Sequence, residues 1–141
     1  MAVELLPPPG PGAPPGAPFA RVRASLANAG RAVGAEVAQV YVRVPRDANA
    51  SAAVGGAPIP QRALAAFTKT APLQPGGGAL ALEWELPLSA FETTTASGQR
   101  VVTGGSYTVF VAGHAPGDPN GPSNELSTVV VVPPLPWARA V

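Results

Sequence analysis

Between Ala38 and Val44 the chain alternates without a break: Ala38, Val40, Val42 and Val44 fall on one side, Gln39, Tyr41 and Arg43 on the other. Side chains two apart on a strand share a face, so this is a strand with one fully apolar face. Leu80, Leu82, Trp84 and Leu86 repeat the pattern against Ala81, Glu83 and Glu85. An apolar strand face has to be buried against another layer. Two such strands in a chain with no helical period commit it to packed β-sheets.

The remaining segments fit that frame. Phe19 to Leu26 sets Val22, Ala24 and Leu26 against Arg21, Arg23 and Ser25, a half-buried strand. Asn28-Ala29-Gly30 is a turn, because asparagine and glycine both tolerate positive φ, and it sends the next strand, Gly34 to Val44, back antiparallel to the first. Pro45 to Pro60 reads as a loop. Arg62 to Thr70 is a third strand. Leu64 and Phe67, three apart, cannot both face inward on a regular strand, and a bulge between them is the expected repair. Trp84 is the expected core anchor, burying roughly 150–250 Å².

Leu88 to Arg100 reads as a loop with Phe91 inward and a hairpin tip at Ser97-Gly98-Gln99 leading into Val101-Val102. Gly104-Gly105 turns into Tyr107, Val109 and Val111. Tyr107, at a strand start after a turn, suits the corner tyrosine of β-sandwiches. Ala115 to Asn124 is a loop and Leu126 to Val132 a final strand, stopped by Pro133, Pro134 and Pro136. About seven short antiparallel strands separated by turns imply an all-β sandwich.

The expected organisation is a proline-rich linker at residues 1–18, a domain at 19–132 and a tail at 133–141. The tract Pro7 to Pro18 favours extended polyproline II. Its composition suits a linker, or a ligand for SH3 or WW domains. With 141 residues there is room for one core.

Composition narrows function by exclusion. A net charge of +1 with 12% charged residues gives no electrostatic case for nucleic acid or an anionic membrane surface. With no cysteine and one histidine, His114, the chain lacks the ligands of a His/Cys zinc site. No apolar run reaches the length of a membrane span. Met1 to Pro7 does not read as a signal peptide, since its apolar stretch is short and holds Glu4.

The order of motifs resembles a known family. An Asn-x-Gly turn is followed by Gly-x-Glu-Val-x-Gln-x-Tyr-Val, here Asn28-Ala29-Gly30 and Gly34 to Val42. Then come Pro60, Leu64-Ala65-Ala66-Phe67-Thr68-Lys69, the turn Pro75-Gly76, the alternating strand Leu80 to Leu86, and Gly105-Ser106-Tyr107-Thr108-Val109-Phe110-Val111-Ala112-Gly113. Over residues 20–132 this set is similar to the fibronectin type III-like domain at the C-terminus of glycoside hydrolase family 3 enzymes, the β-glucosidases and β-xylosidases. Ala66 stands where that family favours glycine, and Gly77-Gly78 replaces its usual acidic residue. Gly113 to Gly117 leans towards the xylosidase-like branch.

The resemblance implies an all-β, fibronectin type III-like (immunoglobulin-like) sandwich of about seven antiparallel strands, and a non-catalytic accessory domain, a fragment or detached module, that packs on barrel and α/β catalytic domains. It also implies an extracellular or cell-wall setting. The catalytic residues of such enzymes lie in those other domains, so no catalytic, cofactor-binding or metal-ligating residue is assigned here, and no cofactor. Within this chain Glu83 and Glu85 are the one tempting carboxylate pair. They alternate with core residues and should face solvent with ordinary pKa values, which does not suit an acid catalyst. The segment Asp118 to Glu125 is oxygen-rich, which suits calcium, but its residues are equally those of a turn. Asn49-Ala50-Ser51 is a glycosylation sequon. The alternative function is a stand-alone binding module for a protein or glycan. Its candidate exposed aromatics would be Trp137 and Phe110.

Overall fold

The structure is a computed structural model describing residues 1–119 and 124–140. Its strands are β1 (Ala2–Leu5), β2 (Pro18–Leu26), β3 (Val37–Arg43), β4 (Ala63–Lys69), β5 (Leu80–Pro87), β6 (Thr93–Thr94), β7 (Gln99–Val101), β8 (Gly105–Ala112), β9 (Leu126–Val132) and β10 (Arg139–Ala140). Helix α1 (Ala48–Ala53) and a single 3-10 turn (Leu88–Ala90) complete it. The fold is an all-β sandwich of antiparallel sheets. One sheet has the order β1-β2-β5 and the facing sheet β4-β3-β8-β9. A small third sheet, β10-β7-β6, lies beside them in the topology.

Alternation accounts for the core. Val22, Trp84 and Leu86 from the first sheet pack with Val40, Val42, Tyr107 and Val109 from the second. The face carrying Ala38, Val40, Val42 and Val44 is buried, as its period requires. Trp84 crosses between sheets, its Nε1 donating to Thr68 Oγ1 at 2.9 Å. A register shift between Pro18 and Ala20 allows the consecutive residues Phe19 and Ala20 both to be buried. Phe19 meets Phe91 edge-on with centroids 4.9 Å apart, and Phe91 meets Tyr107 at 5.6 Å.

Tyr107 forms the corner. Its hydroxyl donates to Thr103 O at 2.7 Å, with Phe91 O at 3.2 Å as a second acceptor. Burial pushes its ionisation up, and hydrogen bonds with Thr103 oppose that in part. The turn before it needs both glycines. A Cβ on Gly104 would stand 2.7 Å from Pro134 Cδ, and Gly105 has φ +139° with Pro45 Cγ 3.0 Å from its would-be Cβ.

The seven expected strands correspond to β2, β3, β4, β5, β7, β8 and β9. Several details differ. β3 does not pair with β2; the connection after Leu26 crosses to the other sheet, where β3 lies between β4 and β8. Alternation gives a strand its faces but not its partner. The Asn28 turn uses no positive φ. Its side chain makes the turn instead: Oδ1 accepts from Gly30 N at 2.9 Å, and Nδ2 donates to Ala32 O and Leu73 O, each at 2.8 Å. The Pro45 to Pro60 loop contains α1, capped by Asp47 Oδ1 accepting from Ala50 N at 2.9 Å. Asn49 of the sequon is exposed on that helix.

Both ends of the chain join sheets. β1 pairs with β2 from Ala2↔Arg23 to Leu5↔Ala20, and Val3 and Leu5 pack on the core. The proline tract is thereby a loop between paired strands rather than a linker before the domain. Its backbone is held by Leu88 N to Ala17 O at 2.8 Å and Ser89 N to Pro15 O at 3.0 Å. The stretch after the final prolines is not a loose tail either. β10 pairs with β7, and Arg139 holds the carboxylate of Glu92, a side chain with 1% exposure, through Nε at 3.1 Å and through Nη2.

Candidate functional site

The carboxylates of β5 stand on the outer face of the three-stranded sheet, as expected, and they are occupied. Glu85 Oε1 accepts from Arg21 Nη2 at 2.9 Å, and Glu83 Oε2 from Arg23 Nε at 2.5 Å. Glu4 lies 3.7 Å from Arg23 and 4.0 Å from Arg21. The hydrogen bond from Arg23 holds Glu83 below the usual carboxylate range. A glycosidic acid requires the opposite displacement. Three carboxylates and two guanidiniums on β1, β2 and β5 thus form one network of ion pairs on one face.

An open cleft of about 590 Å³ lies at one end of the sandwich, lined by Leu26, Asn28, Leu73, Leu82 and Leu126 among others, with Glu36 and Glu125 at its polar side. Both carboxylates serve the backbone. Glu36 Oε1 accepts from Val37 N at 2.8 Å and Glu125 Oε2 from Gly117 N at 3.1 Å. Residues 120–123 of the oxygen-rich segment lie outside the described residues. Among the described residues no three His, Cys, Asp or Glu side chains come together as a metal site. His114 is half-buried, with Nδ1 unpaired among them. No helix of the described residues is long and apolar enough to cross a membrane.

The motif residues Glu36, Gln39 and Tyr41 join strands to one another. Thr70 Oγ1 accepts from Glu36 N at 3.0 Å, Gln39 Nε2 donates to Gly113 O at 3.3 Å, and Tyr41 Oη donates to Gln39 Oε1 at 2.7 Å. A Cβ on Gly113 would come within 2.8 Å of the Glu36 carboxyl. These are framework contacts around the start of β3.

Of the two aromatics expected to be exposed, Phe110 is buried and Trp137 half-buried. Phe110 is 5% exposed with the Arg43 guanidinium 4.8 Å above its ring, and Trp137 packs against the core cluster. The exposed aromatic is Phe67. The bulge predicted between Leu64 and Phe67 is present: Val40 pairs with Ala66 and Tyr41 with Leu64, leaving Ala65 as the extra residue. It acts in the opposite sense to the sequence expectation. Both large side chains point outward, 51% and 65% exposed, and Ala65 and Ala66 pack inward. They lie opposite Tyr41 and Gln39, on the outer face of the four-stranded sheet.

This outer face contrasts with the charged one. Strands β3, β4, β8 and β9 contain no Asp or Glu; their charged residues are Arg43 and Lys69. Neither cation has a carboxylate partner among the described residues. Spacing alone could have found the bulge, but not the direction of its side chains.

Comparison with known proteins gives this geometry a context. The chain is similar to β-glucosidase 3B from Thermotoga neapolitana, solved with α-D-glucose: 27% identity, TM-score 0.63, over 85% of this chain and 14% of that one. It is likewise similar to a GH3 β-glucosidase from Bifidobacterium adolescentis (25%, TM-score 0.64, 84% and 15%). A β-glucosidase from Listeria innocua, solved with glucose, gives 26%, TM-score 0.61, 84% and 14%. The chain therefore spans about one-seventh of the length of these enzymes. A search of curated proteins returns no match. The fibronectin type III-like domain profile matches residues 36–115, more than half of the sequence and all of β3 to β8, and the chain belongs to that family.

Proposed function

We propose that the chain is a non-catalytic accessory domain of a glycoside hydrolase family 3 enzyme, acting beside the barrel and α/β domains that hydrolyse β-glucosides. The observation that carries this reading is the pair of coverages: most of this chain aligns with a small part of larger β-glucosidases. The state of the carboxylates supports it. Glu83 and Glu85 are neutralised on an open sheet face, and Glu83 has its pKa displaced away from that of an acid catalyst. The relatives named are β-glucosidases, which favours a glucoside over a xyloside. A glycan-binding role through Phe110 or Trp137 is not favoured, because Phe110 is buried and Trp137 is partly taken up in packing against the core.

Incubation of the purified chain with aryl β-glucosides and aryl β-xylosides tests the reading. The expected result is release of aryl alcohol at the buffer rate. Turnover by the chain alone at enzyme-like rates would overturn it.

A further inference from the structure

The geometry points to the outer face of β3 and β4 as the surface by which this domain docks on its catalytic partner, through an apolar patch on that partner bordered by carboxylates. The inference rests on the accessory-domain reading and specifies its contact. It begins with the bulge at Ala65. A regular β4 would put one of Leu64 and Phe67 inward; the bulge puts both outward beside Tyr41. Bulges re-aim side chains at functional edges. Here the result is two large apolar groups in solvent, an arrangement that suits a contact.

Charge specifies the occupant. On the opposite face both cations, Arg21 and Arg23, already have carboxylate partners in Glu4, Glu83 and Glu85. The β3–β4 face has Arg43 and Lys69 and no anion on its strands. A second copy placed face to face would bring cations together and supply no carboxylate from these strands, whereas a partner bearing carboxylates would pair with Lys69 and with Arg43, whose guanidinium otherwise has, among the described residues, only the Phe110 ring beneath it. Such pairs on a polar rim around a dry apolar centre are the usual layout of a specific interface. The larger polypeptides in which this fold recurs supply a partner of the necessary size.

The test uses the full chain and the catalytic polypeptide of the source organism's family 3 β-glucosidase, measured by titration calorimetry and by size exclusion. The double substitution Leu64→Glu with Phe67→Glu should weaken binding about 100-fold or more, since central apolar anchors each account for roughly tenfold or greater losses. Lys69→Glu should weaken it about tenfold and flatten its salt dependence. Arg23→Ser, on the opposite face, should leave it unchanged. The side chains altered on the β3–β4 face are exposed, so thermal unfolding of those variants should match the parent; if the double variant unfolds, Lys69→Glu alone decides. Undiminished binding by the Leu64/Phe67 and Lys69 variants overturns the assignment of this face and leaves the accessory reading standing. Absence of binding by the parent chain overturns that reading and this inference together. Self-association of the parent that is lost in the double variant overturns the inference in favour of a second copy.

Discussion

Replacing Tyr107 by phenylalanine removes one oxygen from the centre of the fold and should reveal how much the corner contributes. The ring is fully buried beside Phe91, so Phe fills the same space and leaves no cavity for a side chain. What is lost is the 2.7 Å bond to Thr103 O and the 3.2 Å approach to Phe91 O. Stranding buried acceptors costs about 1–3 kcal/mol. For a domain of this length that corresponds to a fall in Tm of roughly 3–10 °C. Urea unfolding followed by tryptophan fluorescence measures it, with the m-value unchanged. A loss below about 0.5 kcal/mol would refute the claim that the hydroxyl anchors the corner. The alkaline limb supplies a second readout. Tyr107 has its folded pKa raised above 10.0, so its contribution is complete below that pH. As pH rises further the unfolded chain loses the proton first, the folded state binds more protons, and stability falls. Tyr107→Phe should lack that part of the decline.

Further outcomes follow from single contacts. Gly104→Ala should destabilise by about 1–3 kcal/mol, because its Cβ would stand 2.7 Å from Pro134 Cδ; an unchanged denaturation midpoint would show that the Pro134 turn moves freely. Arg139→Ala should lower Tm more than Arg23→Ala, because it leaves the buried Glu92 carboxylate with only Arg100 at 4.0 Å, whereas Glu83 remains in water. Glu83 has a lowered folded pKa, so its contribution is present above 4.5 and is lost as pH falls through the folded value. Glu83→Gln should therefore blunt the acid decline of stability, measured as Tm against pH, and an acid limb identical to the parent's would contradict the pairing with Arg23.

The strands of the core were legible because each alternates over six residues or more. Ala38 to Val44 and Leu80 to Leu86 could be assigned faces before any partner was known; the first is buried throughout, and the second is buried at Trp84 and Leu86 but opens to solvent at its start, where Leu80 is 37% exposed. Tyr107 was legible for a different reason: a turn that only glycines can make precedes it. What stayed hidden is short or relational. β1 and β10 are too short for a period to show, and both acquire their structure from pairing with distant residues, Ala20–Arg23 and Gln99–Arg100. The helix at Ala48–Ala53 depends on the Asp47 cap, one residue in a loop-like composition. The apolar contact surface was half legible. The three-residue spacing of Leu64 and Phe67 demanded a bulge, but only the inward packing of Ala65 and Ala66 shows which way it turns the larger side chains. A small residue flanked by large ones on an edge strand was the available signal, and a burial rule based on size alone misreads it.

The most direct test of the accessory-domain account is hydrogen–deuterium exchange on this chain with and without the family 3 catalytic polypeptide. Docking predicts slowed exchange in Val37–Arg43 and Ala63–Lys69, with β2 and β5 exchanging as in the free chain. Exchange unchanged along the whole chain at saturating catalytic polypeptide would contradict it.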